Sequence, residues 1–319
     1  MKKRIITGVA IFAILIPAVY FGGVLFLVVG MILSMIASYE MMNMFYKRGP
    51  ALKNYRFIVP ILSAGIVLMI YFAATEGLDP RLLQNEIIGG ADARKMLYHF
   101  WVALVFVITI IICLGALIFT KNSTAHDMMA CIMALTYAGL IMGYVISIEY
   151  LEPIGFSYYI ENRLYGGRSF AFLLTIVVAT DSFAYLIGSK FGKHKLCPDI
   201  SPKKSIEGAV AGLIAGGIFG VLTAFLFKII IFSDEATLFN KIIVIGFLFC
   251  FSLIISATVQ IGDLVASKLK RSYEIKDFGK IFPGHGGVLD RFDSLIFAGA
   301  VYYVIAQFTQ LVVLGVTYA

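Results

Sequence analysis

Residues 241–266 read KIIVIGFLFCFSLIISATVQIGDLVA, an apolar run in which Lys241 and Asp263 are the only charged side chains. A helix needs about 20 such residues to cross roughly 30 Å of hydrocarbon. Similar runs recur along the 319-residue chain and give these predicted spans: 5–24, 25–46, 57–74, 99–120, 128–148, 169–189, 207–231, 241–266 and 288–316. The first two spans are separable only at Gly22 and Gly23. The sequence therefore predicts an all-α, polytopic integral membrane protein, a helical bundle of about nine transmembrane helices.

The composition supports this class. Sixty per cent of the residues are apolar, 14% are charged and the mean hydropathy is +0.92, a balance that a soluble domain would not tolerate at its surface. Lys2, Lys3 and Arg4 precede the first run, but no small-residue cleavage site follows, so we expect a retained first helix rather than a signal peptide. We divide the chain into 1–168, with helices one to five and outer loops, and 169–319, with helices six to nine and the charged motifs.

The basic residues predict the orientation. Nineteen of the 26 Lys and Arg residues fall in segments that nine spans would place on one side: the N-terminus, 47–56, 121–127, 190–206 and 267–291. By the positive-inside rule this side is cytoplasmic, so we expect the N-terminus inside and the C-terminus outside. Because the basic residues adjoin the spans, orientation and anionic ligands explain the net charge of +7 better than nucleic acid does.

Four carboxylates, Asp181, Asp263, Asp290 and Asp293, lie within the predicted spans or at their inner ends. A charge near the bilayer centre costs about 2.5–3.5 kcal/mol on the insertion scale, so each needs compensation. Ion pairs would supply it, as would helix capping for Asp290 and Asp293, which fall in a first turn. The alternative is a shared cation, because carboxylates with phosphate partners are the usual setting for Mg²⁺.

Polar residues also form a stripe along the eighth helix. Its members recur at steps of three or four residues: Ser252, Ser256, Gln260, Asp263 and Ser267. This spacing places them on one helix face. The stripe predicts either a cavity lining or a contact with a partner helix.

Segment 190–208, KFGKHKLCPDISPKKSIEG, is unusually basic. Ser201 and Pro202 predict a helix cap and a first-turn proline, which would place Lys203 and Lys204 at the N-terminus of helix seven. A helix N-terminus with added lysines is a ready anion site. A plain positive-inside loop remains the alternative.

Segment 267–293 combines basic residues with a glycine-rich turn. Glycines at 284, 286 and 287 let the backbone approach a phosphate closely. His285, between two of them, is either an incidental loop residue or a weak candidate for a general base.

Small residues and cysteines carry weaker signals. Gly208, Gly212, Gly216 and Gly220 recur every four residues, which permits close helix packing either within the subunit or between the subunits of a homodimer.

Three cysteines fall in predicted spans and one in a loop, so no disulfide framework or metal-ligand spacing is present: Cys113, Cys131, Cys250 and Cys197.

Segment 267–293 closely resembles the hallmark pattern of the phosphatidate cytidylyltransferases, also called CDP-diglyceride synthases. The matching residues keep the spacing of the pattern: Ser267, Leu269, Lys270, Arg271, Lys276, Asp277, Gly279, Phe282, Pro283, His285, Gly286, Gly287, Val288, Asp290, Arg291 and Asp293. Further blocks similar to the same family are Asp181, Tyr185 and Gly188; 192–196; Ser201, Pro202, Lys203, Lys204 and Ser205; Glu207 and Gly208; and Gly262 with Asp263. The departures, Ser182-Phe183, Ile206 and the outer loop 75–98, leave the charged positions intact.

The resemblance implies a nucleotidyltransferase of phospholipid biosynthesis, which transfers CMP from CTP to phosphatidic acid and releases CDP-diacylglycerol and pyrophosphate. It implies a multi-pass protein of the cell membrane with its active site on the cytoplasmic side. The implied partners are CTP, phosphatidic acid and membrane lipids, with no nucleic acid and a homodimer left open.

The resemblance also implies roles for individual residues. One or two Mg²⁺ ions would be held by Asp263, Asp290 and Asp293. The implied catalytic residues are Asp263, Lys276, Asp277, His285, Asp290 and Arg291. The implied substrate-binding residues are Asp181, Ser201, Pro202, Lys203, Lys204, Ser205 and Glu207.

Two other functions fit parts of the sequence. A CTP-dependent membrane enzyme acting on an isoprenoid-type phosphate or alcohol would need similar nucleotide and metal groups. An anion transporter would also place carboxylates and basic groups in a helical bundle, but we find no internal repeat of the kind that transporters show.

Overall fold

The computed structural model describes residues 13–75, 91–150, 160–162, 166–232, 234, 236–282, 284 and 286–317. Within these ranges, only the backbone is described for residues 91–99, 160–162 and 309–317. The helices are α1 (Gly23–Tyr46), α2 (Tyr55–Thr75), α3 (Ala91–Ile118), α4 (Ala125–Ala134), α5 (Met142–Ser147), α6 (Gly167–Phe191), α7 (Ile206–Leu226), α8 (Leu238–Ser272) and α9 (Leu289–Thr317). The strands are β1 (Ile160–Asn162), β2 (Lys195–Cys197), β3 (Ser201–Ser205) and β4 (Ile230–Phe232). A π-helical turn, Leu135–Ile141, joins α4 to α5.

Seven helical segments in the described part of the chain are long and apolar enough to cross a membrane. They coincide with the second to the eighth predicted spans, and the ninth, 288–316, falls on α9. Of the first, 5–24, residues 13–21 are helical and 5–12 lie outside the described residues. The polytopic helical character is therefore confirmed, whereas the count of nine and the side of the N-terminus stay predictions.

Two glycines mark the junction between the first helical stretch and α1, which begins at Gly23. Gly22 and Gly23 have φ values of 58° and 54°, in the left-handed region that L side chains rarely adopt. The predicted boundary at these two residues is confirmed.

The chain divides into two compact units. The first comprises Met1–Tyr150 and Ile275–Arg291, and the second comprises Leu151–Glu274 and Phe292–Ala319. Both units are thus discontinuous in sequence.

In the first unit, α1 packs against α2 and against the helical segment that begins with α4. Small hydroxyl residues allow the helices to approach and to share hydrogen bonds in place of water. Ser34 Oγ donates to the carbonyl of Ala138 at 2.6 Å, and Ser63 Oγ donates to Ser38 Oγ at 3.0 Å. All of the donors and acceptors in these contacts are buried, as lipid requires.

In the second unit, the glycine row of α7 lies against α6 and α8. A Cβ on Gly208 would lie 2.6 Å from the carbonyl oxygen of Ala184, and one on Gly212 would lie 2.7 Å from that of Thr180. Gly216 and Gly220 face Ser256 and Ser252 of α8 in the same way. Of the two predicted uses of this row, the structure shows packing within the subunit.

The polar stripe of α8 contacts partner helices over most of its length. Ser256 Oγ shares a 2.7 Å hydrogen bond with Thr180 Oγ1, and Gln260 Nε2 donates to the carbonyl of Ala209 at 3.1 Å. Of the two predicted roles, contact with a partner helix is observed for these residues.

The predicted start of helix seven is wrong. Residues 201–205 form β3, which pairs antiparallel with β2 through Lys195 opposite Ser205 and Cys197 opposite Ser201. The helix begins at Ile206, and the cap is Ser205, whose Oγ accepts the N–H of Gly208 at 3.2 Å. Pairing with β2 therefore overrides the local Ser-Pro signal, and Lys203 and Lys204 lie on a strand that leads into α7.

The α7 glycine row gives a stability prediction with an internal control. Gly212→Ala should lower the melting midpoint in detergent by at least about 2 °C, because overpacking against a fixed backbone costs about 1–3 kcal/mol. Gly246→Ala in α8 should leave it unchanged or raise it, because no atom lies within 4 Å of the added methyl group and alanine favours helix. Equal midpoints for the two variants would contradict the packing described here.

Candidate functional site

The β2–β3 hairpin is fastened to the start of α7 by one carboxylate. Glu207 accepts the backbone N–H groups of Lys193 at 3.1 Å and His194 at 3.2 Å, and its Oε1 lies 2.7 Å from Nδ1 of His194. A carboxylate in a first helical turn is also favoured by the helix dipole. Glu207, predicted to bind substrate, is thus already engaged in holding the loop that precedes β2.

An ion pair joins this hairpin to α8. Lys204 Nζ lies 2.5 Å from Oδ2 of Asp263, and both side chains are half-buried. Ser267 Oγ donates to the other oxygen, Oδ1, at 3.3 Å. Asp181 of α6 lies within electrostatic range of both Lys204 and Asp263. Three predicted site residues from separate elements are therefore brought together in the second unit.

Asp293 lies beside this cluster, where α8 and α9 approach each other. A Cβ on Gly262 would lie 3.0 Å from the carbonyl oxygen of Asp293, so the residue before Asp263 packs directly on α9. The Asp293 side chain is buried, with Oδ2 at 3.9 Å from Nζ of Lys270 and Oδ1 accepting the N–H of Ser294 at 2.8 Å. Each of the two carboxylates is balanced by a lysine.

In the first unit, Asp290 organises the glycine-rich loop before α9. Its Oδ2 accepts the N–H of Phe278 at 2.8 Å and that of Gly287 at 2.9 Å. Within the loop, the N–H of Phe282 donates to the carbonyl of Gly286 at 2.8 Å. Gly284 and Gly286 have φ values of 83° and 84°, which explains why glycine is needed at these turn positions.

Other predicted residues surround these contacts. Lys276, Asp277 and Arg291 are exposed, as are Pro202 and Lys203 of β3, while Ser201 is half-buried. Ser205 is buried, with its hydroxyl group used in the helix cap. His285, like Pro283, lies outside the described residues.

Sequence reasoning missed Glu40. This carboxylate lies within α1, is 3% exposed and accepts the N–H groups of Val288 at 3.1 Å and Leu289 at 3.0 Å. The signal that identified Asp181 and Asp263, a carboxylate within an apolar run, is equally present at position 40. It could have been found by the same argument.

The residues can be tested against the chemistry of Mg²⁺. The described residues contain no group of three or more His, Cys, Asp and Glu side chains placed to hold a metal. Mg²⁺ usually takes only one or two protein carboxylates and completes its shell with water and substrate phosphates. Asp263 and Asp293, with the hydroxyl group of Ser267, fit that donor chemistry.

Lysines and carboxylates within or beside apolar helices mark a functional site, and the lysines suit a phosphate-bearing molecule. The comparisons with known proteins define the class more closely. The model of the cytidylyltransferase family matches residues 2–309. The chain therefore belongs to the cytidylyltransferase family, and it is a nucleotidyltransferase, as the sequence resemblance implied.

Several curated relatives match along nearly the whole chain. The phosphatidate cytidylyltransferase of Staphylococcus saprophyticus is 32% identical over 298 residues, which cover 93% of this chain and 95% of the relative. Proteins of the same name from Staphylococcus epidermidis and Staphylococcus aureus are 30% identical over 298 residues and 32% identical over 300 residues, with the same coverage. The similarity is not confined to the charged motifs.

The Glu207 contacts predict a change in local protection. Glu207→Gln should speed tryptic cleavage after Lys193 and Lys195 by at least about threefold, because it removes the charge that holds the loop and the cleaved segment must open locally. Limited digestion followed by mass spectrometry measures the rate. Asp199→Asn, which alters an exposed carboxylate in the same hairpin, is the matched control. Unchanged cleavage in Glu207→Gln would show that Glu207 does not fasten the loop.

Proposed function

We propose that the protein is a phosphatidate cytidylyltransferase, which transfers CMP from CTP to phosphatidic acid and yields CDP-diacylglycerol and pyrophosphate. The names of the matching relatives support this substrate assignment. The observation that carries the mechanism is the pairing of Lys204 on β3 with Asp263 of α8, within electrostatic range of Asp181 of α6. Cations and carboxylates at a helix end suit a reaction between a nucleotide and a lipid head group.

The chemistry needs no protein nucleophile. A phosphate oxygen of phosphatidic acid attacks the α-phosphorus of CTP in line, the bond from that phosphorus to the bridging oxygen breaks, and pyrophosphate leaves with the electron pair. The protein must hold two mutually repelling anions close together and stabilise the charge on the leaving group. Fixed lysines and arginines supply that stabilisation.

Some residues of the hairpin region contact the nucleotide, and others hold the hairpin in place. Lys203 and Lys204 on β3 contact the phosphates of CTP, with Ser201 beside them. Ser205 and Glu207 act as positioning residues, because their side-chain oxygens already accept backbone N–H groups of the hairpin region. Asp181 helps to keep Lys204 charged and oriented.

The loop before α9 serves the transferring groups. Lys276 and Arg291 are exposed and flank the residues that Asp290 ties together, so they are available to a phosphate. Asp277 and His285 complete the proposed catalytic set. Asp290 also orders the loop, because its Oδ2 accepts two backbone N–H groups.

We further propose that the reaction depends on one or two Mg²⁺ ions, for which Asp263, Asp290 and Asp293 are the candidate ligands. When bound, the ion neutralises phosphate charge and polarises the phosphorus–oxygen bond that breaks. Lys204 and Lys270 balance Asp263 and Asp293 in the structure described here.

A kinetic comparison of two carboxylates tests the proposal. In detergent-purified protein, Asp263→Asn should lower kcat/KM for CTP with phosphatidic acid by at least about 100-fold, the scale expected when one preorganised electrostatic group is lost. Asp234→Asn is the matched control, because it alters an exposed aspartate between β4 and α8 and should retain wild-type activity. Formation of labelled CDP-diacylglycerol is the measurement.

The same assay tests whether turnover requires Mg²⁺ and which lipid is the substrate. Wild-type turnover should stop with EDTA and return with Mg²⁺, and turnover that persists in EDTA would overturn the metal proposal. Use of an isoprenoid phosphate but not phosphatidic acid would change the lipid assignment. Folded wild-type protein that is inactive with every lipid phosphate would contradict the transferase proposal and favour anion transport.

The proposed cytoplasmic site in the cell membrane predicts a labelling pattern. In a Cys197→Ser background, Lys195→Cys should react with a membrane-impermeant maleimide in inverted vesicles but not in intact cells, because the positive-inside rule puts the hairpin inside. Asp234→Cys, between β4 and α8, should show the opposite pattern, because α7 separates it from the hairpin. The reverse result for both variants would invert the proposed topology.

A further inference from the structure

Glu40 accepts hydrogen bonds from a loop about 250 positions away in the sequence. Its Oε1 accepts the N–H of Val288 and its Oε2 that of Leu289, which are the cap and the first residue of α9. Helix N-termini have unsatisfied N–H groups and a positive dipole, so a carboxylate here is stabilised twice. Glu40 thus caps α9 from another helix.

The surroundings of Glu40 are shaped to this carboxylate. A Cβ on Gly279 or on Gly287 would collide with its Oε1, so both loop positions accept only glycine while Glu40 keeps this place. Glu40 is 3% exposed, and Asp290, which ties Phe278 to Gly287, is 7% exposed. Two buried carboxylates therefore hold the two ends of the loop.

The loop held in this way carries charged residues at its margins. Lys276 and Asp277 directly precede Phe278, and Arg291 directly follows Asp290. All three side chains are exposed, so their positions depend on the backbone contacts of the residues next to them. An error of 1 Å in such groups can cost about 100-fold in rate.

We infer that Glu40 is a positioning residue for the reaction: from α1 it fixes the loop 276–291 and thereby orders the backbone that carries Lys276 and Arg291. This inference rests on the proposed function, because it assigns those side chains to the phosphates. On this inference α1, a helix without a recognisable motif, contributes to catalysis through Glu40.

Glu40→Gln is the decisive variant, because it keeps the size of the side chain and removes its charge. An amide offers one oxygen, and its NH₂ group would face a backbone N–H, so one of the two hydrogen bonds is lost. We expect kcat to fall at least tenfold while KM for CTP stays within about threefold. The nucleotide-binding lysines on β3 belong to the second unit and are not held by Glu40.

Glu149→Gln is the matched control. Glu149 is a half-buried carboxylate of the same unit, and it lies against Gly22 at the opposite end of α1. This variant should keep wild-type kcat. A similar loss in both variants would mean a general effect of removing a buried charge and would overturn the inference.

A spin label reports on the loop without using activity. Lys280 is exposed within the loop, so Lys280→Cys in a Cys197→Ser and Cys250→Ala background gives a labelling site. The label should become more mobile in Glu40→Gln and stay unchanged in Glu149→Gln, with both proteins monodisperse on size exclusion. Equal mobility in all three proteins, or wild-type kcat in Glu40→Gln, would overturn the inference.

The two proposals can fail separately. If the wild type makes no CDP-diacylglycerol, the substrate assignment fails, while the mobility of the label still reports whether Glu40 holds the loop. If the wild type is active and only the effect of Glu40→Gln is missing, the positioning role alone is wrong.

Discussion

A charged side chain in a membrane-spanning helix must be compensated, and this constraint shapes the polar parts of the protein. The chain meets it in two ways. Asp263 is balanced by a lysine from the β2–β3 hairpin, whereas Glu40 is compensated by backbone N–H groups at the start of α9. In both cases the carboxylate of an apolar helix binds a polar loop. The two carboxylates thereby fix two loops that carry other predicted site residues.

The fold could largely be predicted because lipid imposes a length on each helix and leaves few alternatives. The boundary at Gly22 and Gly23 and the close packing of the α7 glycines follow from residue types alone. The start of α7 did not follow, because the signal of Ser201 and Pro202 is local. The pairing of β3 with β2 is a cooperative contact that no short pattern encodes.

The candidate site was predictable to a similar degree. Asp181 and Asp263 were identified from charge in an apolar setting, Lys204 from its place in a basic segment, and all three from the family resemblance. The structure brings them together. Glu40 carried the same signal, a carboxylate within an apolar run, but its partners could not be read from the sequence, because they are backbone groups far away in the chain. Ser205 and Glu207 were identified as important, but their contacts show that they stabilise the hairpin.

The discontinuity of the units has a consequence for dissecting the protein. Residues 275–291 belong to the same compact unit as the N-terminal helices, although every recognisable motif lies in the second half of the chain. A shortened protein that kept only the motif-bearing half would separate this loop from the helix that caps α9. Fragment complementation with two co-expressed pieces, rather than truncation, is therefore the suitable way to ask what each half contributes.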